Sequence, residues 1–138
     1  MIHGVRAATL AVGALGTLLS PTAHANDILW AAIGYSPTRG AAHSVWRYAS
    51  RDEADVDAVT ECDSHNGVSD CVLAAIGPCA SLATDPDPYN NAPYSGGRGW
   101  TLAEADADAM SKALPGWTIQ GHHCGDDPVR APGQSSST

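Results

Sequence analysis

His122-His123-Cys124 is the run best equipped to bind a metal in this 138-residue chain. With His65 or His43 it could supply the imidazole and sulfur ligands of a Zn²⁺ or Cu²⁺ site. The spacing argues against this. Neighbouring side chains on a strand point to opposite faces, so only one of His122 and His123 can share a side with Cys124. An oxidised Cys124 would not ligate, and the cysteine spacings contain no C-x₂-C pair. The two histidines are expected to be surface residues.

Other chemistries fare no better. A hydrolytic triad needs a nucleophile, a base and an orienting acid. Ser44 beside His43 is only a sequence neighbour, and no G-x-S-x-G is present. Asp52, Asp55, Asp85 and Asp87 could be drawn into a glycosidase pair, but Asp52 and Asp55 suit a solvated helix face. Glu53 and Glu104 suit helix caps, where the dipole favours negative charge. Gly96-Gly97-Arg98-Gly99 precedes a helix but lacks the Lys-Ser/Thr of a P-loop. The Asp85–Asp87 loop lacks EF-hand spacing. No catalytic, cofactor or metal residue is assigned, and no cofactor is expected. The loop from Asp85 to Tyr94, with Tyr89 and Tyr94, is a candidate contact surface.

The elements that must position these residues repeat. Ser50-Arg51-Asp52-Glu53-Ala54 and Thr101-Leu102-Ala103-Glu104-Ala105 share a pattern 51 residues apart. Each is a capping box opening an acidic, alanine-rich helix. Around the first lie strands Ile28–Ser36, Ala42–Ala49 and Asp70–Ile76, with a turn at Ser36–Gly40 and a polar loop at Asp63–Ser69. Val45 is expected on one face of its strand, Trp46 and Tyr48 on the other. Ala54, Ala58 and Cys62 form the buried stripe of the first helix, with Asp55 and Glu61 facing water. Around the second lie strands Cys79–Thr84, Gly96–Trp100 and Trp117–Cys124, and a proline-rich loop from Asp85 to Pro93. The stripe of the second helix is read as Ala103, Ala107, Met110 and Leu114. Two strand–strand–helix–strand units follow: an α+β fold of two ββαβ-like repeats, mainly antiparallel sheet with two Ala-rich helices packed on it.

The N-terminus reads as a secretory signal, residues 1–25. Arg6 precedes an apolar stretch of 13 residues, Ala7–Leu19, too short to span a bilayer. Ala23-His24-Ala25 is an A-x-A cleavage site. The mature chain would be a single domain over 26–124, with halves 28–78 and 79–124, and a disordered tail over 125–138. It has no second long apolar segment. Its six basic and fifteen acidic residues give a net charge of −9, which argues against nucleic acid and anionic lipid as partners. The core is thin, with no Phe. Trp30, Tyr35, Trp46, Tyr48, Trp100 and Trp117 must supply much of its buried area.

Four cysteines follow the signal: Cys62, Cys71, Cys79 and Cys124. An even count in an exported chain reads as two disulfides, and three connectivities are possible. Cys62–Cys71 with Cys79–Cys124 is favoured, the second bridge being expected to join the two halves.

In order along the chain, these segments resemble the domain of unknown function 4189 of small secreted, mainly mycobacterial, proteins. Trp30-Ala31-Ala32-Ile33-Gly34-Tyr35-Ser36 is similar to the family's opening strand. Ser50-Arg51-Asp52-Glu53-Ala54 resembles its helix start, Asp70-Cys71-Val72 its next strand, and Cys79-Ala80-Ser81-Leu82-Ala83 its fourth strand. Gly96-Gly97-Arg98-Gly99-Trp100-Thr101 resembles its Gly-Gly-x-Gly-x-Thr before the Ala-rich helix. The chain departs from the pattern after Cys62 and Cys79, where glycine is absent, and at His122-His123. The resemblance implies secretion and disulfides but no established activity.

The function expected from the sequence is non-enzymatic binding of a host component, an envelope component or another protein outside the cell. The alternatives are an extracellular enzyme, hydrolase or redox, and an inhibitor of one.

Overall fold

The computed structural model describes residues 27–87 and 91–128. Among the described residues six strands and two helices follow in chain order: β1 (Trp30–Ser36), β2 (Ala41–Tyr48), α1 (Arg51–Asn66), β3 (Val72–Gly77), β4 (Cys79–Thr84), β5 (Tyr94–Gly99), α2 (Leu102–Ser111) and β6 (Thr118–Cys124). They form two three-stranded antiparallel sheets, ordered β2-β1-β3 and β5-β4-β6. The fold is the expected α+β duplication, with the strands divided between two sheets.

The two units agree in detail. The first strand of each is central, the second pairs on one side, and the strand after the helix pairs on the other. Both outer pairings carry the same irregularity. Ile33↔Ala75 steps to Gly34↔Leu73, and Leu82↔Gly121 steps to Ala83↔Ile119. The extra residue is the third of its strand in both cases, Ala74 and Gln120. A bulge tends to be kept where it aims side chains, and its recurrence shows that the two units are built alike.

Strand alternation builds three apolar layers. Ala31, Ile33 and Tyr35 of β1 meet Ala80 and Leu82 of β4 between the sheets. On the opposite face of β1, Ala32 packs with Val45, Ile76, Ala54 and Ala58 beneath α1. On the opposite face of β4, Ala83 packs with Ala109 and Trp117 beneath α2. The order of layers is therefore helix, sheet, sheet, helix. Because the side chains between helix and sheet are small, the elements approach closely. A Cβ on Gly34 would lie 2.4 Å from the Ala58 carbonyl oxygen, and one on Gly97 2.2 Å from that of Ala105.

The helix starts behave as read. Ser50 Oγ accepts the Glu53 N–H and Thr101 Oγ1 accepts that of Glu104, satisfying donors that helix ends leave open. Glu104 reaches back to the Trp100 N–H at 2.8 Å. The first helix runs further than expected, through Asn66, and ends at Gly67 in the left-handed region (φ 62°). Asp63 belongs to the helix, and its carboxylate accepts the Cys71 N–H at 2.9 Å.

Three expectations about where side chains lie fail. Ala103, Ala107, Met110 and Leu114 do not form the stripe of α2: its buried residues are Ala105 and Ala109, and Met110 and Leu114 are exposed. Helix and sheet stand too close there for long side chains. Tyr48 packs on the Val45 side of β2 and Trp46 on the other. The cause is a bulge at Trp46-Arg47, with Arg47 at φ 74°, which shifts the register by one and swaps the faces of the residues that follow. Trp100 is 69% exposed and adds little to the core.

The residues after Cys124 continue the fold as far as they are described. The Gly125 N–H donates to the Pro78 carbonyl at 2.7 Å, and Asp127 accepts the Cys124 N–H at 3.0 Å. Trp46 Nε1 and Arg47 donate to the carbonyls of Pro128 and Asp127. The tail expected to be disordered from 125 is thus held through 128, and its remainder lies outside the described residues, as do the signal segment and Tyr89.

Candidate functional site

The cysteines pair as Cys62–Cys71 and Cys79–Cys124. The first bridge ties the last turn of α1 to the approach to β3. Cys79 and Cys124 are register partners on β4 and β6, so the second bridge lies wholly inside the second unit. It does not join the halves as expected. The apolar layer between the sheets does that.

The sequence-flagged polar residues fall into separate groups. His122 Nδ1 lies 2.9 Å from Asp106, and Ser81 Oγ donates to the same carboxylate at 2.6 Å. Serine, aspartate and histidine thus meet, but in the wrong order for a nucleophile, because the carboxylate sits between the other two. Ser81 is fully buried, beyond the reach of a substrate. His123 faces elsewhere: it stacks on Trp46 with ring centroids 4.1 Å apart and contacts Asp127 at 3.2 Å. The alternation that was expected to split the pair does so.

His43 and His65 come together, not with His122-His123-Cys124 but with Glu61. His43 Nε2 lies 2.9 Å from Glu61 Oε2, and the two imidazoles stack at 4.0 Å. Glu61 was read as a solvated residue. Its spacing from His65, one helical turn, was the available signal. Ser44 lies apart from this group, in a cleft of about 530 Å³ with Gln120, His122 and His123.

The remaining polar contacts support structure. Asp70 accepts from Ser36 Oγ at 2.7 Å and from the Thr38 N–H at 3.0 Å, clamping the β1–β2 turn. The Thr38 hydroxyl, then Ser36 and the Thr38 backbone, hold its carboxyl below the usual range. Tyr48 donates to Asp57 at 2.6 Å, and burial with that carboxylate pushes the phenol upward. Gly97 and Gly99 of the glycine run lie against the backbone of α2, and Arg98 N–H donates to Asp108. The glycines serve close packing rather than a phosphate. Tyr94, offered as a contact residue, packs on Tyr35 with centroids 5.0 Å apart.

The feature the sequence reading missed is a cleft of about 390 Å³ at the end of the molecule where β3 passes into β4. Ile28, Leu29, Pro78, Cys79 and Trp100 line it, with Asp27 and Asp126 at the same opening. Trp100 was counted as core because large aromatics usually are. Its place between the last residue of β5 and the Thr101 cap turns it outward.

Fold and bridges define a class: a duplicated, disulfide-bonded ββαβ domain with an exposed tryptophan beside a small cleft. Residues 30–124 match the family model described as Domain of unknown function (DUF4189). This chain belongs to that family. It is 38% identical over 96 residues to Protein Rv1269c of Mycobacterium tuberculosis strain H37Rv, covering 69% of this chain and 68% of that protein. Protein Mb1300c of Mycobacterium bovis matches to the same extent, 38% over 96 residues. No solved structure matches the chain.

Proposed function

We propose that the chain is exported by its N-terminal signal and works as a binding domain whose contact surface is the Trp100 cleft. The occupant we assign is a segment of a partner protein carrying an apolar side chain next to a lysine or arginine. The observation that carries this reading is the exposure of Trp100, 69%, in a chain otherwise so poor in bulky side chains that its core is built largely on alanine. Tryptophan at the centre of a concave patch is a common anchor of protein interfaces. Asp27 and Asp126 beside it, on an acidic molecule, favour a basic partner. Both disulfides suit an oxidising compartment. Among the described residues no helix is long and apolar enough to cross a membrane.

The test is cross-linking capture from the envelope and culture fluid, with the disulfide-intact mature protein as bait. A partner held through the cleft should bind Trp100→Ala about 30-fold more weakly, the loss of about 2 kcal/mol usual for an anchor residue. The melting temperature should stay put, because the indole contributes little burial. Binding should also weaken with salt. Partners captured equally by wild type and Trp100→Ala would overturn the assignment.

A further inference from the structure

We propose that His43, Glu61 and His65 form a binding site for one divalent transition-metal ion, of which Zn²⁺ is the best match. The site is independent of the Trp100 cleft. Glu61 and His65 stand on successive turns of α1, and His43 meets them from β2. One ligand atom from each of the three lies within 4.8 Å of the others. His43 is the anchored member: its side chain is 21% exposed, and its Nε2 is already 2.9 Å from Glu61 Oε2. Imidazole nitrogen and carboxylate oxygen bind Zn²⁺ at about 2.0–2.2 Å, which places tetrahedral ligand atoms roughly 3.3 Å apart. His65 therefore has to move inward by at most roughly 1.5 Å. It is exposed on the last turn of α1, just before Gly67, so a rotation of its own side chain suffices. Two imidazoles and one carboxylate favour Zn²⁺ over the oxygen-seeking Mg²⁺ and Ca²⁺. Three protein ligands leave a fourth position for water or a ligand from another molecule.

The second unit supplies an internal control. His43 pairs with Gly34 as Ser95 pairs with Ala83, so Ser95 occupies the equivalent position. The 51-residue repeat carries Glu61 onto Lys112, the residue that caps α2 after Ser111. Lys112 pairs there with Asp108 at 3.6 Å, and Ser95 donates to the Ala109 carbonyl. The same strand–helix contact is thus built without an imidazole. Packing does not require an imidazole at the His43 position, whereas a metal does.

Calorimetric titration of ZnCl₂ into the untagged, disulfide-intact mature protein tests this. The expected result is one ion per chain and a rise in melting temperature on adding Zn²⁺. His65→Ala, at an exposed helix end, should leave the metal-free melt unchanged and lower the affinity by at least about tenfold. His43→Ala and Glu61→Gln should also lower the affinity by at least about tenfold, and the double variant His122→Ala/His123→Ala should bind as wild type does. The absence of saturable Zn²⁺ binding, equal affinity in His65→Ala, or a loss that follows His122 and His123 would each overturn the assignment.

Discussion

Reducing both disulfides is expected to cost the domain about 6.5 kcal/mol and to leave it largely unfolded at about 37 °C. The Cys62–Cys71 bridge closes a short loop, with a sequence separation of 9, and the Cys79–Cys124 bridge a long one, with a separation of 45. Chain-entropy estimates give roughly 2.5 and roughly 4 kcal/mol for loops of these sizes. Native domains hold only about 5–15 kcal/mol in all, and the small buried side chains of this one are expected to place it at the low end. Of the fully buried ones among the described residues, only Tyr35, Ile33 and Leu82 are large. The two bridges should contribute unequally. Cys79→Ala/Cys124→Ala should lower the urea midpoint more than Cys62→Ala/Cys71→Ala. Urea unfolding of the oxidised, reduced and doubly substituted proteins checks both points. A reduced protein with an unchanged midpoint would show that the alanine-rich core suffices alone.

Gly34→Val and Gly97→Val are each expected to destabilise by about 3 kcal/mol or more, the upper end for overpacking. At Gly34 a Cβ would stand 2.4 Å from the Ala58 carbonyl oxygen and 2.8 Å from Cys62 Cβ. At Gly97 it would stand 2.2 Å from the Ala105 carbonyl oxygen and 2.3 Å from the Ala109 amide nitrogen. Most of these neighbours are helix backbone, which moves only if the whole helix lifts from its sheet. Gly121 is the control: a Cβ there meets nothing within 4 Å, so Gly121→Ala should change little. Denaturant midpoints of the three variants measure the difference. Equal effects at all three positions would mean that helix and sheet are not held as closely as described.

The sequence carried the architecture further than the sites. The two capping boxes marked both helix starts, and Ala54, Ala58 and Cys62 were read as the buried stripe of α1 that the structure has. On α2, side-chain size and repeat register point to different faces, and register decides. Carried 51 residues forward, Ala54 and Ala58 land on Ala105 and Ala109, the buried pair. Met110 and Leu114 look like core residues only if helix and sheet are assumed to stand at ordinary separation. Other features left no local mark. Arg47 in the left-handed region has no sequence signature, since arginine rarely adopts it, and it decides which face Tyr48 takes. The outward turn of Trp100 depends on the helix cap beside it. The meeting of His43 with Glu61 depends on how β2 lies against α1.

Peptide mapping of the protein recovered from culture fluid, without prior reduction, tests the central claim most directly: two like units, each closed by its own sulfur bridge after export. The expected result is a chain that begins at Asn26 and lacks four hydrogens relative to the reduced form, with peptides linked Cys62 to Cys71 and Cys79 to Cys124. A chain that keeps residues 1–25, four thiols open to alkylation, or a link from Cys62 or Cys71 to the second unit would contradict it.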